Sequence, residues 1–232
     1  APSIREWTAP SAPPGSRTEP LTVTVDGAPV RGRLRLPAPG GPDSLLIVFD
    51  AELWIDRYRL PEVLDAAYRA GRCRERYAVL GIDSPSDPGD RLALLGGNTA
   101  LAAAVAAALP AVRAGLPAVP RRAVVAGQSL GAMTALTLAA RHPGAVDEVL
   151  AYSPSVWWRP GLTGRPHDVR RREDWVHRLL RESPARSARL RLAVGDYEDE
   201  LAPRVADLAD TARDAGYPVT VDRYSGGHDA CC

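Results

Sequence analysis

The stretch Ala123-Val-Val-Ala-Gly-Gln-Ser-Leu-Gly131 sets a buried-type apolar run directly before G-x-S-x-G, and a helical pattern continues from 130 to about 141. A strand that turns sharply into a helix at this motif constrains the fold more than any other feature, because the turn lifts a serine hydroxyl above the edge of a sheet. Gly127 and Gly131 supply the room that close backbone approach demands there. Ser129 is therefore the candidate nucleophile, and the backbone N–H of Leu130, at the helix N-terminus, is a candidate donor to a developing oxyanion.

The surrounding pattern supplies such a sheet. Two alternating runs, 21–25 and 30–36, flank Asp26-Gly27-Ala28-Pro29 and predict an antiparallel hairpin. Residues 44–49 are continuously apolar, as a strand buried on both faces is. Further strands are expected at 77–82, 123–126, 148–152, 190–194 and 219–224, and helices at 60–70, 99–114, 130–141, 174–181 and 201–215. Strands alternating with helices predict an α/β fold of the α/β-hydrolase class: a mostly parallel central sheet, an antiparallel N-terminal hairpin and helices on both faces. Residues 1–17, rich in Pro, Ser and Gly, are expected to form a linker or arm, leaving 18–232 as one catalytic domain.

Composition narrows the function classes. A formal net charge of +1 offers no general attraction to nucleic acid or a membrane surface. The apolar stretch 101–109 is too short to span a bilayer. The basic residues are all arginine, which with the abundance of Ala, Gly and Pro matches a biased coding composition. Cys73, Cys231 and Cys232 form neither a spaced disulfide framework nor a zinc pattern and suit a reducing compartment, although a chain that starts at Ala1 also suits a cleaved export signal.

A serine is a poor nucleophile until a base takes its proton, so a histidine must reach Ser129. His142 ends the nucleophile helix, while His167 and His177 lie in an Arg-rich stretch expected to face solvent. His228, in a Gly-Gly-His loop after the last strand, is the candidate base. The orienting acid belongs between serine and histidine, after the penultimate strand. There Asp196, Glu198, Asp199 and Glu200 all qualify, and spacing alone does not choose among them. The loop after the early strand, Asp50-Ala51-Glu52-Leu53-Trp54, is expected to give the second oxyanion donor, with the N–H groups around Ala51 and Glu52 as candidates. Pro154-Ser-Val-Trp-Trp-Arg159 brings two indoles toward the same edge, where core packing and substrate contact are equally open.

With these motifs assembled, the chain resembles the catalytic domain of the enterochelin (enterobactin) esterases, which hydrolyse ferric-siderophore trilactones. The likeness rests on Leu45-Leu-Ile-Val-Phe-Asp-Ala-Glu-Leu-Trp54, the Gly127–Gly131 elbow, Ser153-Pro-Ser-Val-Trp-Trp158 and Gly226-Gly-His-Asp-Ala-Cys231. The resemblance implies Ser129 as nucleophile, His228 as base and Glu198 as acid, and it implies Arg91 facing an anionic catecholate. Trp54, Trp157 and Asn98 join Arg91 as implied substrate-binding residues. Ala51 departs from the usual glycine, and Leu94 from an acidic residue three past Arg91. The resemblance further implies a small-molecule siderophore substrate, no resident cofactor, iron arriving with the substrate, a cytoplasmic setting, and an amino-terminal domain ahead of the arm. A general acyl esterase or acyltransferase of the same fold, and a catalytically silent siderophore-binding module, are the alternatives.

Overall fold

The computed structural model describes residues 15–37, 41–164 and 175–228. Most of the expected arm, His167, Asp174 and residues 229–232 lie outside the described residues.

The chain opens with a hairpin, β1 (Arg17–Val25) and β2 (Ala28–Leu36). The four-residue connection expected at 26–29 is shorter in the structure. Asp26 and Gly27 alone form the turn, with φ of 49° and 82°, and Pro29 pairs with Thr24 inside the ladder. Two successive positive-φ residues twist with the flanking strands, so the strands zip up to the turn. β1 also begins at Arg17, inside the segment expected as arm.

Six strands follow: β3 (Ser44–Phe49), β4 (Tyr77–Ile82), β5 (Arg122–Gln128), β6 (Glu148–Tyr152), β7 (Arg189–Gly195) and β8 (Val219–Tyr224). The helices are α1 (Leu60–Arg69), α2 (Pro88–Leu95), α3 (Thr99–Gly115), α4 (Leu130–Arg141), α5 (Trp175–Arg181) and α6 (Ala202–Asp214). The strands form one sheet in the order β1-β2-β4-β3-β5-β6-β7-β8. β2 meets both β1 and β4 antiparallel, and every pairing from β4 to β8 is parallel. This is the α/β-hydrolase architecture anticipated from the pattern.

Side-chain alternation along the central strands builds two cores. Leu45, Ile47 and Phe49 of β3 enter the larger, with residues of α3, α4, α5 and α6. Leu46 and Val48 enter the smaller, with Val79, Val124 and Ala126, and α1 lays Leu60 and Leu64 over it. Every residue of α4 from Leu130 to Ala140 is buried, so the helix that follows Ser129 has no freedom to tilt.

Two helical segments were not expected. Glu52–Arg57 is a short π-helix, closed by Tyr58 N–H donating to Leu53 O at 2.9 Å. α2 starts at Pro88 with Asp87 as cap, its carboxylate accepting from the N–H groups of Gly89 and Asp90 at 2.9 and 3.0 Å. Among the described residues no single helix is long and apolar enough to cross a membrane.

Candidate active site

Ser129 joins β5 to α4 with φ 56° and ψ −117°, a conformation that costs energy in any residue bearing a Cβ. Backbone bonds hold it: Ser129 N–H donates to Tyr152 O at 3.0 Å, and Ser155 N–H donates to Ser129 O at 3.2 Å. A Cβ at Gly127 would fall 2.2 Å from the carbonyl carbon of Gly131, so the tight turn excludes any side chain there. At Gly131 the nearest atoms, Asp50 Oδ2 and Phe49 Cβ, are 3.4 Å away.

The loop after β8 returns over this elbow. His228 Nε2 lies 3.2 Å from Ser129 Oγ, and His228 Nδ1 lies 2.6 Å from Glu198 Oε1. Gln128 Nε2 donates to His228 O at 2.8 Å and pins the loop to the strand that carries the serine. The exits of β7 and β8 touch, since a Cβ on Gly195 would sit 2.3 Å from Gly226 O.

Of the four carboxylates the sequence left open, Glu198 is the one that meets the imidazole. It is 7% exposed. Its Oε2 accepts from Ser153 Oγ at 2.6 Å and from Gly195 N–H at 2.7 Å. Burial works to raise the Glu198 pKa, but hydrogen bonds from Ser153, Gly195 and His228 outweigh it and hold the carboxyl below the ordinary glutamate range. An ionised Glu198 on Nδ1 keeps the proton on that nitrogen and leaves Nε2 as the acceptor that faces Ser129. Asp196 instead pairs with Arg223 at 2.9 Å.

Two hydroxyls from one segment support this chain, and sequence reasoning did not give them roles. Ser153, with φ 43°, donates to Glu198 and lies 2.9 Å from Tyr224 Oη, while Ser155 Oγ lies 2.9 Å from Ser129 Oγ. Both serines are fully buried. Two serines spaced by two at the end of a central strand were the available signal.

The loop after β3 lies against the elbow. Asp50, 4% exposed and at φ 60°, receives a two-pronged clamp from Arg91, whose Nε and NH2 nitrogens each donate at 2.7 Å. Burial disfavours the Arg91 charge, but the bonds to Asp50 more than restore it. Ser84 Oγ lies 2.5 Å from both Asp50 Oδ1 and Glu52 Oε1.

A cavity of about 760 Å³ opens beside Ser129 and His228, with Arg91, Leu130, Trp157 and Tyr197 in its wall. Asn98 and Trp54 are not brought to it. Asn98 caps α3, accepting from Ala100 and Leu101 N–H at 2.9 and 3.0 Å. Trp54 packs on the smaller core and contacts Tyr58 edge-on at 5.8 Å, where it lines a separate cavity of about 460 Å³. His177, expected in solvent, is 3% exposed, because α5 turns that face into the molecule. Among the described residues, no group of three His, Cys, Asp or Glu side chains is placed to hold a metal ion.

The sequence pattern of a family described as "Putative esterase" matches residues 27–231. The chain belongs to this esterase family. The chain is 34% identical to the Iron(III) salmochelin esterase of Escherichia coli O6:H1 over 240 residues, covering 99% of its own length and 57% of that protein's. It superposes on the enterobactin esterase of Shigella flexneri, solved in the presence of enterobactin, with a TM-score of 0.79 and 25% identity, over 97% of this chain and 57% of the other. The ferric enterobactin esterase of Salmonella typhimurium (TM-score 0.76, 24% identity, 97% and 56% covered) and a ferulic acid esterase (0.65, 17%, 92% of each) share the fold. The chain thus spans little more than half the length of the salmochelin and enterobactin esterases it matches.

Proposed function

We propose that this esterase hydrolyses ester bonds of a catechol-type siderophore trilactone, or of its linear products, through an acyl-serine intermediate. The observation that carries this reading is the unbroken chain from Glu198 through His228 to Ser129, set at the wall of the large cavity. The names of the Escherichia coli and Shigella flexneri relatives supply the substrate class.

In this scheme His228 Nε2 takes the Ser129 proton as Oγ bonds to the ester carbon, and then returns it to the departing alkoxide. Water repeats the sequence and frees the acid. Glu198 holds the imidazole in the required tautomer. Leu130 N–H, at the start of α4, and Glu52 N–H, at the start of the π-helical segment, are the proposed oxyanion donors. Iron enters as part of the substrate. Arg91 and Trp157 are the proposed substrate contacts. The proposed catalytic unit begins with β1 at Arg17, one residue before the expected boundary, and the reading places it in the cytoplasm, on siderophore already taken up.

A second reading, an acyl esterase of the same fold acting on a neutral ester, is favoured by one observation: the Arg91–Asp50 clamp engages two guanidinium nitrogens that an anionic ligand would otherwise use. Incubating the protein with ferric and iron-free trilactones, followed by mass analysis, separates the two. Ring-opened products with lower activity on simple nitrophenyl esters support the first reading, and the reverse supports the second. Ser129→Ala is expected to cut turnover about a millionfold. A Ser129→Ala protein as active as the parent ends the serine-esterase proposal.

A further inference from the structure

Ser155 lies directly behind Ser129, with its hydroxyl against Ser129 Oγ. Its side chain has no solvent access, and among the described residues its Oγ has one hydrogen-bond partner, Ser129 Oγ at 2.9 Å. A buried hydroxyl must use its proton or carry the cost of leaving it unpaired. The direction of the bond follows from the rest of the site. Glu198 holds the proton of His228 on Nδ1, so Nε2 accepts, and Ser129 has a single proton to give to it. The bond between the two serines therefore runs from Ser155 O–H to Ser129 Oγ.

We propose that Ser155 is a catalytic residue of this esterase, whose hydroxyl donates to Ser129 Oγ and stabilises the negative charge that this oxygen carries as it attacks and as it leaves. The proposal rests on Ser129 being the nucleophile. On attack, the Oγ–H bond breaks toward His228 Nε2 while the Oγ–carbon bond forms, and the charge on Oγ peaks between these events. On deacylation Oγ departs from the second tetrahedral intermediate as an alkoxide and takes its proton back from His228. The Ser155 proton stays on Ser155 throughout. A donor in this position acts on Oγ itself, separately from the N–H groups that face the carbonyl oxygen, and it fixes Oγ in the rotamer that points at Nε2.

The backbone places Ser155 independently of its hydroxyl. Its N–H donates to Ser129 O at 3.2 Å and its carbonyl accepts from Trp158 N–H at 2.8 Å, so removal of the hydroxyl leaves both bonds in place. Ser155→Ala is expected to lower kcat on a nitrophenyl ester by about ten- to a hundredfold, as for loss of one hydrogen bond to a charged oxygen, with KM unchanged. The same variant slows phosphonylation of Ser129 by a fluorophosphonate in similar proportion, a readout of Oγ reactivity that does not depend on the ester. Ser155→Cys, which keeps a weak donor, falls between parent and alanine variant. It also carries the test should Ser155→Ala unfold, as judged by Tm.

Parental kcat and phosphonylation in a folded Ser155→Ala protein, beside an inactive Ser129→Ala, overturn the role of Ser155 and leave the esterase reading standing. A rise in KM alone also overturns it, since that marks a substrate contact. An active Ser129→Ala, or a parent that neither hydrolyses esters nor reacts with the fluorophosphonate, overturns the esterase reading and this proposal with it.

Discussion

Gly127 and Gly131 occupy the two glycine positions of one motif under different constraints. A methyl at 127 collides with the backbone at 131, whereas a methyl at 131 meets Asp50 and Phe49 at ordinary contact distance. Gly127→Ala should therefore yield little folded protein, and Gly131→Ala should fold with a Tm near the parent; equal damage in both would contradict the geometry. Ser153 offers a test through pH. Glu198 is held below its ordinary range, so it stabilises the fold at pH values above the unfolded-state pKa of about 4.3, and that stability is lost as pH falls through the lower folded value. Removing the Ser153 donor moves the folded pKa back upward. Ser153→Ala should cost about 1.5–3 kcal/mol at pH 7 and distinctly less at pH 3, measured by urea unfolding at both. A cost independent of pH would show that the hydroxyl does not act through the carboxylate.

Elements that sequence periodicity missed turn out to shape the site. α2 and the π-helical segment are too short to establish a hydrophobic period, and Ser86-Asp-Pro-Gly-Asp90, which opens α2, has the composition of a turn. α2 nevertheless delivers Arg91 to Asp50, tying the loop after β3 to the neighbourhood of the elbow. Arg91→Ala should thus destabilise the fold by about 2–3 kcal/mol, toward the low end for a buried pair because the Arg91 side chain remains 31% exposed. Adding Asp50→Asn should recover part of the loss, as the stranded carboxylate is neutralised. Full stability of Arg91→Ala in urea would assign the arginine to ligand alone. Other elements were legible: β3, β4, β6, β8 and α4 match their expected limits, and β3, β4 and α4 are buried along nearly their whole length.

At the scale of the molecule, the sheet order converts distance along the chain into proximity. β5 lies between β3 and β6, so the serine elbow is flanked by the loop bearing Asp50 and by the segment bearing Ser153 and Ser155. β7 and β8 then bring Glu198 and His228 back to the same edge, 69 and 99 positions after the serine. The sequence by itself determined the class of fold, the elbow at Ser129 and the candidacy of His228, because strand–turn–helix chemistry and apolar periodicity are local and leave a local trace. Residue spacing left four carboxylates equivalent and gave no role to Ser153 and Ser155, while the family resemblance favoured Glu198, which meets the imidazole, together with Asn98 and Trp54, which do not line the cavity beside Ser129. Only the tertiary structure decided these. Which carboxylate is buried against an imidazole, and which hydroxyl meets Ser129, depends on strand order and register across the sheet, and residues far apart in the chain meet there with nothing in their own neighbourhoods to announce it.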